Sequence, residues 1–383
     1  MRIGIDIRLI GKKRTGDEAV FFNLVKNLAK LDSENEYLLF TDTTDRETLK
    51  EIGNSLGISQ KTNFKIMALD SPNRFAWNFW TLPHYLRANP VDIYHTQYIT
   101  PWFVSKKIKI VTIIHDISFN FFPQFIKKKD LFFLKTLIPL SLARADAIIA
   151  VSQFTKDEIV RYYRIDPEKV TVVHNAVESN LMDGATPGQN ERDRIRDKYA
   201  LPEKFILYIG TLQPRKNIPH LIEAFARISE KIDDLKLVIC GNPKAHNFDK
   251  RIDAALEKHP LAGKVQFPGF VAEEDKAVIF SLAHVFAFPT LYEGFGIPVL
   301  EAMAQGLPVT CSDIPSLKEV AADSVLYFDS SSLEDFSEKL YSISMDNDLR
   351  SRLILKGKER VSFFSWEKSA QKYLALYSKL FHN

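Results

Sequence analysis

The 383-residue chain is poor in cysteine, in net charge and in long apolar runs. Its two cysteines, Cys240 and Cys311, each follow an apolar strand-like run and show no metal-ligand spacing. That usage fits buried, reduced thiols in a reducing compartment rather than a disulfide framework. Lys and Arg number 51 against 48 Asp and Glu, a net charge of +3. So small a surplus gives no argument for nucleic acid, and no aromatic-basic nucleic-acid motif accompanies it. No window approaches the ~20 apolar residues that would span a bilayer. The first residues, Met1 to Arg8, alternate apolar residues with charges, unlike a signal-peptide core. A soluble or peripheral protein of the cytoplasm is expected. Internal repeats and low-complexity tracts are lacking too.

What is present is an ordinary globular composition, 45% hydrophobic and 26% charged, in a chain long enough for two full cores. Short β-branched runs alternate with longer amphipathic stretches throughout. Strand candidates in the first half are Ile3–Ile7, Tyr37–Thr41, Phe64–Ala68, Asp92–His95, Ile108–His115, Ala147–Val151 and Val170–His174. A second series follows: Phe205–Ile209, Leu235–Cys240, Val265–Phe267, Val285–Phe288, Pro308–Cys311 and Val325–Phe328. Continuous apolar strands separated by helices predict parallel sheets covered on both faces. The fold class is therefore α/β, with two Rossmann-like, doubly wound parallel-sheet domains. Residues 1–180 form the first and 203–362 the second; 181–202, with glycine, proline and a charge run, is the linker, and 363–383 is a C-terminal helix. Ligands of such sheets bind outside the carboxyl ends of the strands, so a cleft between facing domains is expected.

Three clusters sit at predicted strand ends. The first runs from Pro289 through Glu293, Gly294, Phe295 and Gly296 to Glu301 and Gly306. Gly294 and Gly296 let backbone N–H groups approach a ligand, and a helix opening near Pro298 adds partial positive charge suited to phosphate. Glu293 and Glu301 would face one polyhydroxylated ligand; a plain strand-to-helix connection with two solvated glutamates has the same spacing. The second cluster, Gly210 to Asn217, places Arg215 and Lys216 on a loop entering a helix. Such a pair suits a diphosphate, the guanidinium offering paired donors and the ammonium a compact charge. A solvated basic helix start is its alternative. The third is His115-Asp116 after Ile108–His115. An imidazole there can donate to a sugar hydroxyl or a leaving oxygen near neutral pH, while a satisfied strand-end hydrogen bond would leave the same pair of residues.

Together these segments resemble the family 4 retaining glycosyltransferases, which have the GT-B fold. Glu293 and Glu301 match the Glu-x7-Glu signature, Gly210 to Lys216 resembles the Gly-x-Leu-x-x-x-Lys phosphate loop, and His115-Asp116 matches a His-Asp motif. The resemblance continues through Ala145–Thr155, Val172–Val177 and Phe364–Glu367, covering nearly the whole chain. It implies that Glu293 and the amides of Gly294, Phe295 and Gly296 hold donor-sugar hydroxyls, that Glu301 holds the ribose, and that Arg215 and Lys216 bind the diphosphate. His115 lies by the donor sugar, Asp116 orients backbone or acceptor, and Ser152 and Asn175 line the cleft. The final helix, Trp366 to Phe381, would cross back onto the first domain. The region from His115 to Pro123 most resembles the mannosyltransferase-like subgroup that builds bacterial surface polysaccharides.

One departure stands out. The subgroup shows Arg-Thr-Gly-x-Gly after the first strand, whereas this chain reads Arg14-Thr15-Gly16-Asp17-Glu18. Gly16 is retained for the donor loop, but Glu18 puts a negative side chain where the loop would close over phosphates or meet the acceptor. Thr211 likewise stands where some members carry arginine. The one Asp-x-Asp spacing, Asp346-Asn347-Asp348, reads as a helix-to-helix turn, so neither metal nor cofactor is expected. The expected reaction is metal-independent retaining transfer of a hexose, mannose favoured, from a GDP- or UDP-sugar to a glycan or lipid-linked oligosaccharide. A related GT-B epimerase or phosphorylase would share the sheets, and a non-catalytic sugar-nucleotide-binding protein would fit Glu18 and Thr211. Phe119 to Phe133 mixes aromatics with Lys127, Lys128 and Lys129, as interfacial membrane segments do. A peripheral contact at the inner face of the membrane and a buried first-domain helix with a lysine edge are both open.

Overall fold

The computed structural model describes residues 1–12, 16–178, 181, 187–243, 247–259 and 261–382. Arg14 and Thr15, and residues 182–186 of the expected linker, lie outside the described residues. The chain divides into two compact units. Met1–Ile117, Lys128–Asn175 and Ser365–Asn383 form the first; Ser118–Lys127 and Ala176–Phe364 form the second.

In the first unit, among the described residues, the strands are β1 (Arg2–Asp6), β2 (Glu36–Thr41), β3 (Phe64–Ala68), β4 (Ile93–Gln97), β5 (Lys109–Ile114), β6 (Ala147–Ala150) and β7 (Val170–Val172). They pair in parallel in the order β3-β2-β1-β4-β5-β6-β7. Ile3, Ile5, Ile93, Ile110 and Ile113 are wholly buried. Each such side chain contributes about 1.5–3 kcal/mol relative to exposure, which is why strands covered on both faces are apolar throughout. Gly4 is fixed by packing: a Cβ there would lie 2.8 Å from the ring of Phe40. The helix Gly16–Leu31 packs against the C-terminal helix Trp366–His382. Tyr377 of that helix bonds through its hydroxyl to Nδ1 of buried His95, at 2.6 Å.

The second unit has β8 (Phe205–Ile209), β9 (Lys236–Cys240), β10 (Val265–Gly269), β11 (Val285–Phe288), β12 (Val309–Ser312) and β13 (Leu326–Phe328). Their order is β10-β9-β8-β11-β12-β13, again parallel. The helix Ile218–Ser229 buries Ile218, Leu221, Ile222, Phe225 and Ile228, the spacing of one helical face, and packs against the helix Leu333–Met345. Truncating Phe225 to alanine would cost about 3–5 kcal/mol. Cys240 and Cys311 are buried free thiols, as their apolar flanks imply, and burial pushes Cys240 up to about 12.

Both sheets reverse direction beside their first strand. The order runs outward from β1 through β2 to β3, then returns to place β4 on the other side of β1; β8 and β11 stand in the same relation. Crevices at such reversals, outside the strand carboxyl ends, are where doubly wound sheets bind ligands. Residues 118–127, assigned by sequence to the first domain, cluster instead with the second unit. Phe121 and Phe122 pack on Tyr292, at 5.8 and 6.0 Å between ring centroids. Apolar content alone could not say which unit those rings would pack on. The following helix, Lys128–Arg144, belongs to the first unit, buries Ile138, Ser141 and Leu142 and leaves Phe132 and Leu140 exposed.

Candidate active site

The loops after β8 and β11 flank the reversal of the second sheet and are laced together. Leu291 donates its N–H to the carbonyl of Arg215 at 2.9 Å. The Arg215 guanidinium donates to the carbonyl of Tyr292 and lies 3.3 Å from Glu293 Oε1. Lys216 Nζ forms a direct ion pair with the same carboxylate oxygen. The hydroxyl of Thr290, wholly buried, donates to Glu293 Oε1 at 3.0 Å. Lys216 and Glu293 are each only 9% exposed. The guanidinium and ammonium, held beside one carboxylate in poor contact with water, are donors of the kind an anionic group takes.

Backbone conformation shapes the rest. After β8, Pro214–Lys216 makes a 3-10 turn and Asn217 adopts φ +56°, turning the chain into the helix Ile218–Ser229. After β11, Gly296 takes φ +103°, and a Cβ there would lie 2.5 Å from Leu317. Only glycine meets both demands. The helix Ile297–Ala304 then opens with a proline in its first turn. Gly294 is buried. Phe295 packs edge-on against Phe364 at 5.6 Å, a core contact of the second unit. Gly210 donates its N–H to Cys240 O at 3.0 Å, and a Cβ on it would meet the Tyr208 hydroxyl at 2.7 Å.

Glu301 is buried on the helix Ile297–Ala304, and its Oε1 accepts from Lys276 Nζ at 2.7 Å. The same ammonium reaches Glu273 at 3.1 Å. Burial raises the Glu301 carboxyl above its usual range, and Lys276 offsets part of that rise. Burial would lower Lys276, but two carboxylates sharing one ammonium hold it above its ordinary value. Sequence reasoning missed Lys276, because Glu273-Glu274-Asp275-Lys276 reads as a solvated charge cluster. Asp275 beside it receives Lys198 at 2.6 Å and the Tyr199 hydroxyl at 2.7 Å, tying down the helix Gln189–Tyr199.

In the first unit His115 follows β5, is 8% exposed, and bonds through Nε2 to Gln97 Oε1 at 3.0 Å. Its Nδ1 lies 3.8 Å from Asp17 on the first turn of the helix Gly16–Leu31. The backbone N–H of Asp116 donates to the Tyr98 hydroxyl oxygen at 3.3 Å. Gly16 is open to added bulk. Glu18 is 5% exposed and accepts the Gly11 N–H, which lies in the connection between β1 and its own helix, at 2.9 Å. Ser152 caps the helix Gln153–Tyr163 by accepting from Thr155 N–H, and Asn175 is buried. Asp346 caps the helix Asn347–Val361, as a turn residue would. Sequence reasoning also passed over Asp6 and Arg8 at the end of β1, an ion pair at 2.7 Å with the guanidinium 4.5 Å over Trp77.

Two doubly wound parallel sheets, of seven and six strands, make the GT-B architecture. Residues 15–181 match the model for glycosyltransferase family 4 and residues 191–360 that for glycosyl transferases group 1, so the chain belongs to the family 4 glycosyltransferases. An O-antigen chain mannosyltransferase B of Escherichia coli is 26% identical over 96% of each chain. The serotype-specific mannosyltransferase WbdA of the same species is 30% identical over 62% of this chain, which there spans only 29% of its relative. The crystal structure of a glycosyltransferase from Rickettsia africae ESF-5 superposes with a TM-score of 0.75 at 19% identity, covering 100% of this chain and 99% of the other.

Proposed function

We propose that this glycosyltransferase moves a hexose, mannose favoured, from a GDP- or UDP-sugar to a glycan or lipid-linked acceptor in surface-polysaccharide synthesis. The observation that carries this is the buried Arg215–Lys216–Glu293 cluster at the reversal of the second sheet. Breaking a sugar–phosphate bond leaves growing charge on the nucleotide diphosphate. Preorganised donors aimed at that charge are worth about 3–4 kcal/mol each. Arg215, Lys216 and the N-terminus of the helix Ile297–Ala304 would supply them without a divalent cation. Glu293 and the amides of Gly294 to Gly296 would take the sugar hydroxyls. Glu301, braced by Lys276, would take the ribose, and His115 would donate to the donor sugar. Retention of configuration follows the family resemblance, since no cleft motif supplies an obvious carboxylate nucleophile. The mannose preference and the polysaccharide role draw support from the two Escherichia coli mannosyltransferases.

The test is thermal stabilisation by GDP-, UDP- and ADP-sugars, with EDTA present, in the wild type and in Glu301→Ala. A ligand at a hundredfold excess over its Kd adds about 2.7 kcal/mol. One nucleotide class should stabilise the wild type and not the variant. Turnover with that donor should then give a product whose anomeric signal matches the donor's. An inverted product, or a strict demand for a divalent ion, would sink the mechanism.

A further inference from the structure

The first unit carries a second concavity, an open groove of about 720 Å³ beside the end of β3. Trp80 and Phe103, on two separate connections, are both 66% exposed at its rim. Phe79 lies between them, 5.8 Å from Trp80 and 6.4 Å from Phe103, and stacks at 5.5 Å on Trp102. The result is an aromatic shelf whose faces meet water, although burial is what normally places such rings.

Two uncommon backbone features hold the shelf open. Trp77–Thr81 is a π-helical turn, a rare conformation that concentrates at functional sites. Phe103 adopts φ +58°, a left-handed conformation unfavourable to a large side chain and sustained by its surroundings. The N–H of Trp102 donates to Asn78 O at 2.9 Å, tying the second feature to the first. Behind them Trp77 is buried beneath the Arg8 guanidinium.

The polar lining decides what fits. Asp70 and Arg87 supply one charge of each sign, Thr81 and His84 add neutral hydrogen-bonding groups, and the lining holds no lysine. A face that docks on anionic lipid gathers several lysines or arginines around its apolar residues; this one is concave and formally neutral. A neutral chain of hexoses complements it, with C–H faces on the electron-rich ring faces and hydroxyls toward the polar rim. The geometry points to a glycan-holding groove that grips hexose units already built into the acceptor. The choice of a glycan rests on the proposed transfer to a glycan acceptor; the groove does not.

The test uses the full chain and a neutral α-mannotetraose, with Trp80→Ala and Phe103→Ala as variants of exposed residues. Saturation-transfer NMR and calorimetry read the binding, and nucleotide-sugar stabilisation shows that each variant keeps its fold and second unit. Wild type should bind the tetraose, and each variant should bind it at least tenfold more weakly with its nucleotide response unchanged. No binding by the wild type, or equal binding by the variants, would overturn the assignment. So would a Trp80-dependent attachment to phosphatidylglycerol vesicles without tetraose binding, which would make the shelf a lipid contact. Trp80-dependent tetraose binding in a protein that no nucleotide sugar stabilises would keep the groove and sink the proposed transfer alone.

Discussion

Lys276 and Glu301 form a largely buried ion pair, with Nζ 2.7 Å from Oε1, between residues 25 positions apart in the chain. The ammonium also serves Glu273, so one cation holds two carboxylates.

Replacing Lys276 with methionine strands Glu301 as a buried, uncompensated charge. The expected loss is about 3–5 kcal/mol of stability, read by urea denaturation, with Lys276→Arg losing much less. The Glu301 carboxyl is already raised by burial, and losing its cation raises it further. Loss of donor binding on acidification should therefore begin at a higher pH in the methionine variant. An unchanged acid limb would mean that Lys276 does not act on Glu301.

Arg215→Ala and Lys216→Ala remove donors from the proposed leaving-group site. Each should lower kcat by about 10²–10³-fold. KM for the donor should change less, because the contact strengthens as charge develops. A variant that shifts KM alone would assign its side chain to ground-state binding.

Gly296→Ala and Gly16→Ala make a matched pair. At Gly296 the positive φ and the 2.5 Å approach to Leu317 both resist a Cβ, and an expected cost of at least about 1–2 kcal/mol should appear as a lower melting temperature. At Gly16, which opens a helix and has nothing within 4 Å of the added atom, alanine should be neutral or stabilising.

His95 predicts acid lability in the first unit. Burial lowers its pKa to about 3, against about 6.5 when unfolded. The folded unit thus favours the neutral ring: its stability is full above about pH 6.5 and falls as pH drops toward 3. That slope is at most about 1.4 kcal/mol per pH unit. Denaturation midpoints from pH 7 to pH 4 should fall more steeply in the wild type than in His95→Gln, whatever the absolute stability of the variant. Parallel slopes would contradict the buried neutral state.

The strands were the most legible part of the sequence. Phe64–Ala68, Phe205–Ile209 and Val285–Phe288 coincide with β3, β8 and β11, because apolar runs flanked by polar turns leave little choice of boundary. Val170–His174 overshot β7, which ends at Val172. Pairing, not hydrophobicity, ends an edge strand, and β7 has only β6 to pair with. Glu293, Arg215 and Lys216 could be named individually, yet no spacing shows that they form one ion-paired cluster. That closeness comes from β8 and β11 lying side by side. The bond that Glu18 accepts from the Gly11 N–H was not legible either, because the direction of that side chain depends on the first turn of its helix.

The two units are interleaved along the chain, the first drawing on three stretches and the second on two. During synthesis, domains generally fold as units from the N-terminus onward. Here the first unit is incomplete until residues 366–382 have been made, since Trp366–His382 supplies the partner of Gly16–Leu31 and the hydroxyl that meets His95. A stalled or clipped product lacking that helix would expose the apolar face of Gly16–Leu31 and become a substrate for chaperones and proteases. Chimeras of relatives joined by a single crossover near residue 176 would inherit a mismatched helix in the same place, so an exchange that preserves the first unit must carry Trp366–His382 along with its two earlier stretches.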